Sequence, residues 1–196
     1  MSVDYRMVAE TAPITSARRE ELLERAYQYV LEHGLAAMSL RPLAGEIGSS
    51  PRVLLFLFGS KDGLVRALLA RARADELAFL QRVRIEDGTD LERVGLEVWR
   101  WLVAPEHAGL LTLWTESYAR SLIEPDGPWA GFAADTVQDW VDLLADAQPP
   151  PERGTAAGQA RRTLVLAILR GALLDLLATG DVARTTRAVQ QGLRAA

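Results

Sequence analysis

The sequence predicts an all-α fold, with an N-terminal three-helix helix-turn-helix unit followed by an antiparallel helical bundle, nine helices in total. Three observations carry this reading. Apolar residues recur at i, i+3, i+4 and i+7 in successive segments, no stretch alternates as a half-buried strand would, and glycine, proline or a capping Ser, Thr or Asp marks most segment boundaries. There is no internal repeat.

Residues 1–15 are expected to form a flexible arm. The first helix, residues 16–33, turns Leu22, Leu23, Ala26, Tyr27, Val30 and Leu31 inward and stops at Gly34, where a left-handed residue ends a helix cheaply. The second carries the stripe Leu40, Leu43, Ala44 and Ile47. Ser39 is its expected N-cap, Pro42 sits in its first turn where no intrahelical bond is lost, and Gly48 follows its end. A third helix starts at once, with Ser50 as cap, Pro51 at the first helical position, the apolar run 53–58, and Gly59 and Ser60 to close it. The fourth runs from after Ser60 to residue 84 with Leu64, Leu68, Leu69, Leu77 and Leu80 on its buried side, long enough to join two domains. The expected division is 1–62 and 63–196, the second domain's bundle beginning near Glu86 after the break IEDGTD.

In the bundle, Thr89 or Asp90 is expected to cap a fifth helix whose Leu91, Val94, Val98, Trp101 and Leu102 share one face, with Trp99 flanking it. The sixth places Leu110, Leu113, Trp114, Ser117 and Ser121 on a stripe, with Tyr118 one turn beyond Trp114. Each serine either bonds the carbonyl one turn back or anchors a ligand in an apolar cavity. The seventh is the most regular, with Trp129, Phe132, Ala133, Thr136, Val137, Trp140, Val141 and Leu144 on one face. Residues 148–154, with three consecutive prolines, are expected to be a loop. The eighth helix, residues 156–178, is apolar on nearly every face from 164 to 177 apart from Arg170 and Asp175, so several sides must be covered. Gly180 and Asp181 then close it and cap a ninth, with Val182, Thr185, Thr186, Val189 and Leu193. Tryptophans at helical spacing either pack a core or line a pocket for a flat hydrophobic molecule.

With 196 residues and 49% apolar content, the chain can bury one large core or a small head plus a larger helical domain. There is no cysteine, which excludes disulfides and thiolate metal sites. Apolar runs reach only six residues, against the roughly 20 that span a bilayer, and residues 1–15 lack the apolar core of a signal peptide. The expectation is a cytoplasmic protein with no membrane partner. Net charge is −4, but residues 1–85 carry 12 basic and 10 acidic groups while the remainder carry 10 and 16, so only the N-terminal half suits a polyanion. With two histidines and no phosphate-cradling glycine loop, no enzyme, cofactor or metal is expected.

The stretch 40–61 reads either as an αα-corner or as the pair of helices that DNA-reading proteins use. Together with its flanks it resembles the N-terminal domain of the TetR/AcrR family of repressors. The resemblance runs from Leu22, Leu23, Ala26, Val30, His33, Gly34 and Leu35, through Ser39, Leu40, Arg41, Leu43, Ala44, Ile47 and Gly48, to Phe58, Gly59, Ser60, Lys61 and Leu64. It implies that the helix holding Leu54 and Phe58 enters the major groove, with Arg41, Ser50, Pro51, Arg52, Val53, Leu55, Leu57 and Lys61 at DNA-facing positions. Where the family commonly has a tyrosine followed by an aromatic-histidine pair, this chain has Leu55, Phe56 and Leu57, so phosphate-holding groups are replaced by apolar ones.

The resemblance further implies a fourth helix that transmits ligand binding to the heads. It also implies dimerisation through the last two helices, here with Leu166, Arg170, Leu173, Leu174, Leu177, Val189 and Leu193. Pairing is also expected because one short recognition helix covers few bases. A hydrophobic or aromatic effector is expected at Trp99, Trp101, Trp114, Ser117, Tyr118, Ser121 and Trp140. The resulting expectation is a homodimeric repressor, released from near-palindromic double-stranded operator DNA by a small molecule. The alternative is a regulator-like protein whose apolar Leu55, Phe56 and Leu57 surface binds a protein partner instead of DNA.

Overall fold

The computed structural model describes residues 6–36, 38–82 and 90–196, and every regular element in them is helical. In chain order these are α1 (Arg6–His33), α2 (Leu40–Glu46), α3 (Pro51–Phe58), α4 (Lys61–Arg82), α5 (Leu91–Leu102), a 3-10 turn (Pro105–His107), α6 (Ala108–Ile123), α7 (Phe132–Asp146), α8 (Pro150–Arg153), α9 (Ala156–Thr179) and α10 (Val182–Ala195). Among the described residues no helix is long and apolar enough to cross a membrane.

Two expectations are corrected. The all-α class stands, but the described residues form ten α-helices, because the expected loop 148–154 contains α8. Its prolines occupy the first turn, where a missing N–H removes no intrahelical bond. Helix α1 also begins at Arg6, ten residues before its expected start, so residues 6–15 of the expected arm are helical. Residues 1–5 of that arm, the end of the fourth helix beyond Arg82, the domain break at 85–89 and the Thr89 cap lie outside the described residues. The Asp90 cap is present, its carboxylate accepting the Arg93 N–H at 2.9 Å.

The helices enclose two apolar cores. The first gathers Leu22, Ala26, Tyr27 and Val30 of α1, Leu43 and Ala44 of α2, Leu54 and Phe58 of α3, and Leu64, Leu68 and Ala72 of α4. Each fully buried leucine here contributes about 1.5–3 kcal/mol relative to exposure. The second joins Phe79 and Leu80 of α4 to α5, α6, α7, α9 and α10, with Val98, Trp99, Trp140, Leu144, Leu169 and Val189 inside it. Helix α4 thus packs its N-terminal half into one core and its C-terminal half into the other.

The two parts are closely joined. Leu113 of α6, Trp129 and Phe132 complete the first core, and the Leu35 N–H donates to Glu116 of α6 at 3.0 Å. A Cβ at Gly109 would lie 2.5 Å from the Leu31 carbonyl oxygen, so only glycine allows α6 to cross α1 this closely. Arg73 of α4 bridges Asp135 at 2.5 Å and Asp139 at 3.0 Å on α7.

Candidate nucleic-acid interface and ligand cavity

Helix α2 ends in a six-residue glycine motif. Gly48 has φ +66°, its N–H bonds the Gly45 carbonyl at 3.4 Å, and the Ser49 N–H bonds the Ala44 carbonyl at 2.8 Å. Arg25 of α1 donates to the Ile47 carbonyl at 3.2 Å, holding the turn from behind. One residue later Ser50 caps α3, its Oγ accepting the Val53 N–H at 3.3 Å, with Pro51 at the first helical position.

Leu54 and Phe58 then anchor α3 in the core, and Arg19 lies over the Phe58 ring at 4.9 Å. The opposite face carries Arg52, Val53, Leu55 and Phe56 in solvent, with Arg41 and Lys61 exposed on the neighbouring helices. Arg41, Arg52 and Lys61 make no ion pair among the described residues. Phe56, absent from the expected contact set, is 78% exposed. At about 100° per residue it stands roughly 200° from Leu54, a placement the helical spacing already contains. Leu57, expected to face DNA, is instead half-buried against the head core, because it lies one turn from Leu54 on the inner side.

A cavity lies where α4, α5, α6, α7 and α9 meet. It offers about 570 Å³ of space between atoms, part of it open to solvent. Trp101, Leu110, Trp114, Phe132, Trp140, Leu166, Leu169 and Leu173 form its apolar wall, and Ala72, shared with the head core, lies at one side. Two charged side chains also reach it, Glu76 of α4 and Arg170 of α9.

Glu76 is buried and its Oε1 accepts the Trp140 indole N–H, while Oε2 has no partner. Burial pushes its carboxyl up to about 7, against the bond from Trp140 that pulls it down. Arg170 donates from Nη1 to the Tyr118 hydroxyl at 3.2 Å and lies over the Trp114 and Tyr118 rings. Burial lowers its pKa from the usual arginine value.

Of the expected ligand residues, Trp101, Trp114 and Trp140 line this cavity and four do not. Trp99 is fully buried on the other side of α5 and donates its indole N–H to Thr186 of α10 at 2.9 Å. Ser117 donates to the Leu113 carbonyl at 2.6 Å, the back-bonding alternative, and Ser121 accepts the Ala133 N–H at 3.2 Å. Tyr118 stacks on Trp114 and holds Arg170 from outside the wall.

The expected dimer residues also divide. Leu166, Arg170 and Leu173 face the cavity, and Val189 and Leu193 are buried in the body core, Leu193 closing on Gly95 of α5. A helix apolar on nearly all sides hides which face its own chain covers. Leu174 and Leu177 remain exposed, and Leu174 belongs to an exposed row, Ala160, Leu164, Ala167, Gly171, Leu174 and Ala178, spaced alternately four and three residues apart.

The chain thus joins a helix-turn-helix head to a helical body that holds a cavity. No protein-family model matches the chain. It is 29% identical over 77 residues to the HTH-type transcriptional regulator BetI of Stenotrophomonas maltophilia, a match covering 39% of each protein. The chain therefore spans about two fifths of the length of the curated relative it matches. A transcriptional regulator from Rhodococcus sp. Rha1 superposes with TM-score 0.75 at 21% identity over 90% of this chain and 94% of that one. A TetR transcription regulator from Haloarcula marismortui gives 0.67 at 18% identity over 91% and 96%. The multidrug binding protein EbrR, in complex with imidazole, gives 0.65 at 21% identity over 90% and 89%. The fold of this chain is that of the TetR-family transcriptional regulators. The proteins it resembles are regulators and not enzymes.

Proposed function

We propose that this chain is a ligand-responsive, DNA-binding transcriptional regulator of the TetR family, a cytoplasmic homodimeric repressor that a hydrophobic small molecule releases from a near-palindromic operator. The observation that carries this is the double duty of α4. Its N-terminal half packs against α3, and its C-terminal half places Glu76 in the cavity wall. Ala72, at the midpoint, touches both.

A molecule wider than the present free space must displace the wall. Displacement of α4 moves the head attached to it, and with it the separation of the two recognition helices from the roughly 34 Å that adjacent major grooves require. EbrR, a protein of the same fold, is known with a small molecule bound, which supports the ligand-binding part of the reading. The exposed four-three row on α9 supports pairing of two copies, since that spacing keeps one seam facing a second helix.

Footprinting on the DNA upstream of the chain's own gene tests the reading. Two protected half-sites about one helical turn apart are the expected result, and uniform cleavage at saturating protein would contradict it. The exposed Phe56 favours a second reading, in which α3 docks on a protein. Binding that is insensitive to salt would mark that case, because phosphate contacts release counterions and an apolar interface does not.

A further inference from the structure

We propose that the cavity takes a hydrophobic carboxylic acid, its carboxylate gripped side-on by the Nε and Nη2 edge of Arg170. This rests on the effector reading above and narrows it to a chemical class.

Arg170 spends only Nη1, on the Tyr118 hydroxyl, while its Nε and Nη2 are both buried without a partner. Those two N–H groups lie on one edge of a rigid plane, parallel and spaced for the two oxygens of a carboxylate. Buried charged donors left unpaired are costly, so the pair marks a place for an acceptor. The guanidinium lies over the Trp114 and Tyr118 rings, with 5.5 Å and 5.0 Å from Cζ to the ring centroids, and these contacts with the Tyr118 hydrogen bond restrict how the fork can turn.

The protein's own nearby carboxyl does not fill that role. Glu76 bonds Trp140, makes no hydrogen bond or ion pair to Arg170, and leaves Oε2 unpartnered. The other charged groups acting on Glu76 are Arg73 of its own helix and Asp139 of α7, and these are engaged with each other. With its carboxyl raised to about 7, Glu76 is partly a neutral acid near neutral pH. In that form Oε2 carries a proton it can donate to a ligand oxygen.

The cavity's permanent charge is therefore positive, and a cation would have to settle beside a guanidinium. Trp101, Phe132 and Trp140 present apolar and aromatic surface to the rest of the ligand, and the unpartnered Trp114 indole N–H is a further donor in the wall. An anion next to Glu76 raises the Glu76 carboxyl further, so binding takes up a proton and weakens as pH rises above 7. A bound cation gives the opposite sign.

Isothermal titration calorimetry of the full chain tests this with three matched probes, 1-naphthoate, 1-naphthalenemethanol and 1-naphthylmethylammonium, at pH 6.5 and 8. The expected result is naphthoate binding at least tenfold more tightly than the alcohol, the ammonium weakest, and naphthoate weaker at the higher pH. Arg170→Met should reduce naphthoate to the level of the alcohol while leaving the alcohol within twofold. If circular dichroism shows that variant unfolded, Arg170→Lys, which keeps the charge and loses the fork, should weaken naphthoate about tenfold with the alcohol unchanged. Equal affinities, an ammonium preference, or unchanged naphthoate binding in a folded variant would overturn the proposal and leave the cavity reading standing. Failure of all three probes to bind would overturn both.

Discussion

Helices α3 and α9 both hold apolar side chains in solvent, yet they are built for different neighbours. On α3 the exposed Val53, Leu55 and Phe56 sit on an eight-residue helix with Arg52 in its first turn and Lys61 just beyond its end. On α9 the exposed row is made of Ala160, Leu164, Ala167, Gly171, Leu174 and Ala178, carries no charge, and extends over most of a 24-residue helix. A short surface flanked by basic side chains suits a polyanion. A long neutral row of small residues with two leucines suits a second helix. Apolar exposure alone does not identify a partner, and the flanking charge and the length of the row decide.

The largest expected effect breaks the α9 side of this contrast. Leu174→Glu introduces two charges into a two-fold interface, because each copy contributes one. It should weaken dimerisation by about 100-fold or roughly 3 kcal/mol, read by sedimentation, with helical content unchanged because Leu174 is 54% exposed within one chain. A variant as dimeric as the parent would remove α9 from the interface.

Of similar size is the contribution of Glu76, which acts inside the body and touches neither surface. Its carboxyl rises on folding from the ordinary value 4.5 to about 7, so the folded state holds its proton more tightly and stability falls as pH rises through that window. Glu76→Gln should remove that loss and exceed the parent's stability at pH 8 by up to about 3 kcal/mol, measured by urea denaturation. Parallel pH profiles for the two proteins would rule out a raised carboxyl.

Smaller effects separate the residues of α3. Arg52→Ala should weaken specific operator binding by about 1–3 kcal/mol if it reads a base, while an unchanged affinity would remove it from the interface. Phe56→Ala, at a position with 78% exposure, should change folding stability by no more than about 0.5 kcal/mol, and a thermal melt checks this. A drop well beyond that would mean Phe56 is covered in solution.

Much of this was legible from residue types. Ser50 with Pro51, Gly48 and the Asp90 cap located helix ends because each supplies a specific backbone partner or dihedral angle. The inward stripes of α1, α2 and α4 followed from spacing. What spacing cannot express is which inward face meets a core and which meets a cavity. Trp99 and Trp101 are two residues apart and both turn from solvent, yet one reaches Thr186 and the other the cavity. Glu76 and Arg170 were legible in principle as charged residues on inward stripes, Glu76 between Ala72 and Leu80, Arg170 between Leu166 and Leu173. Spacing does not tell a cavity-facing Arg170 from a dimer-facing one, nor a cavity-facing Glu76 from an ordinary core position.

The proposed regulatory role requires that α3 read DNA. A fluorescence anisotropy titration of the full chain against duplexes from its own upstream region, with random duplex as control and at two salt concentrations, tests it most directly. Binding to one duplex is expected to be far tighter than to random DNA and to fall steeply as salt rises. Binding no better than to random DNA, or affinity indifferent to salt, would contradict it.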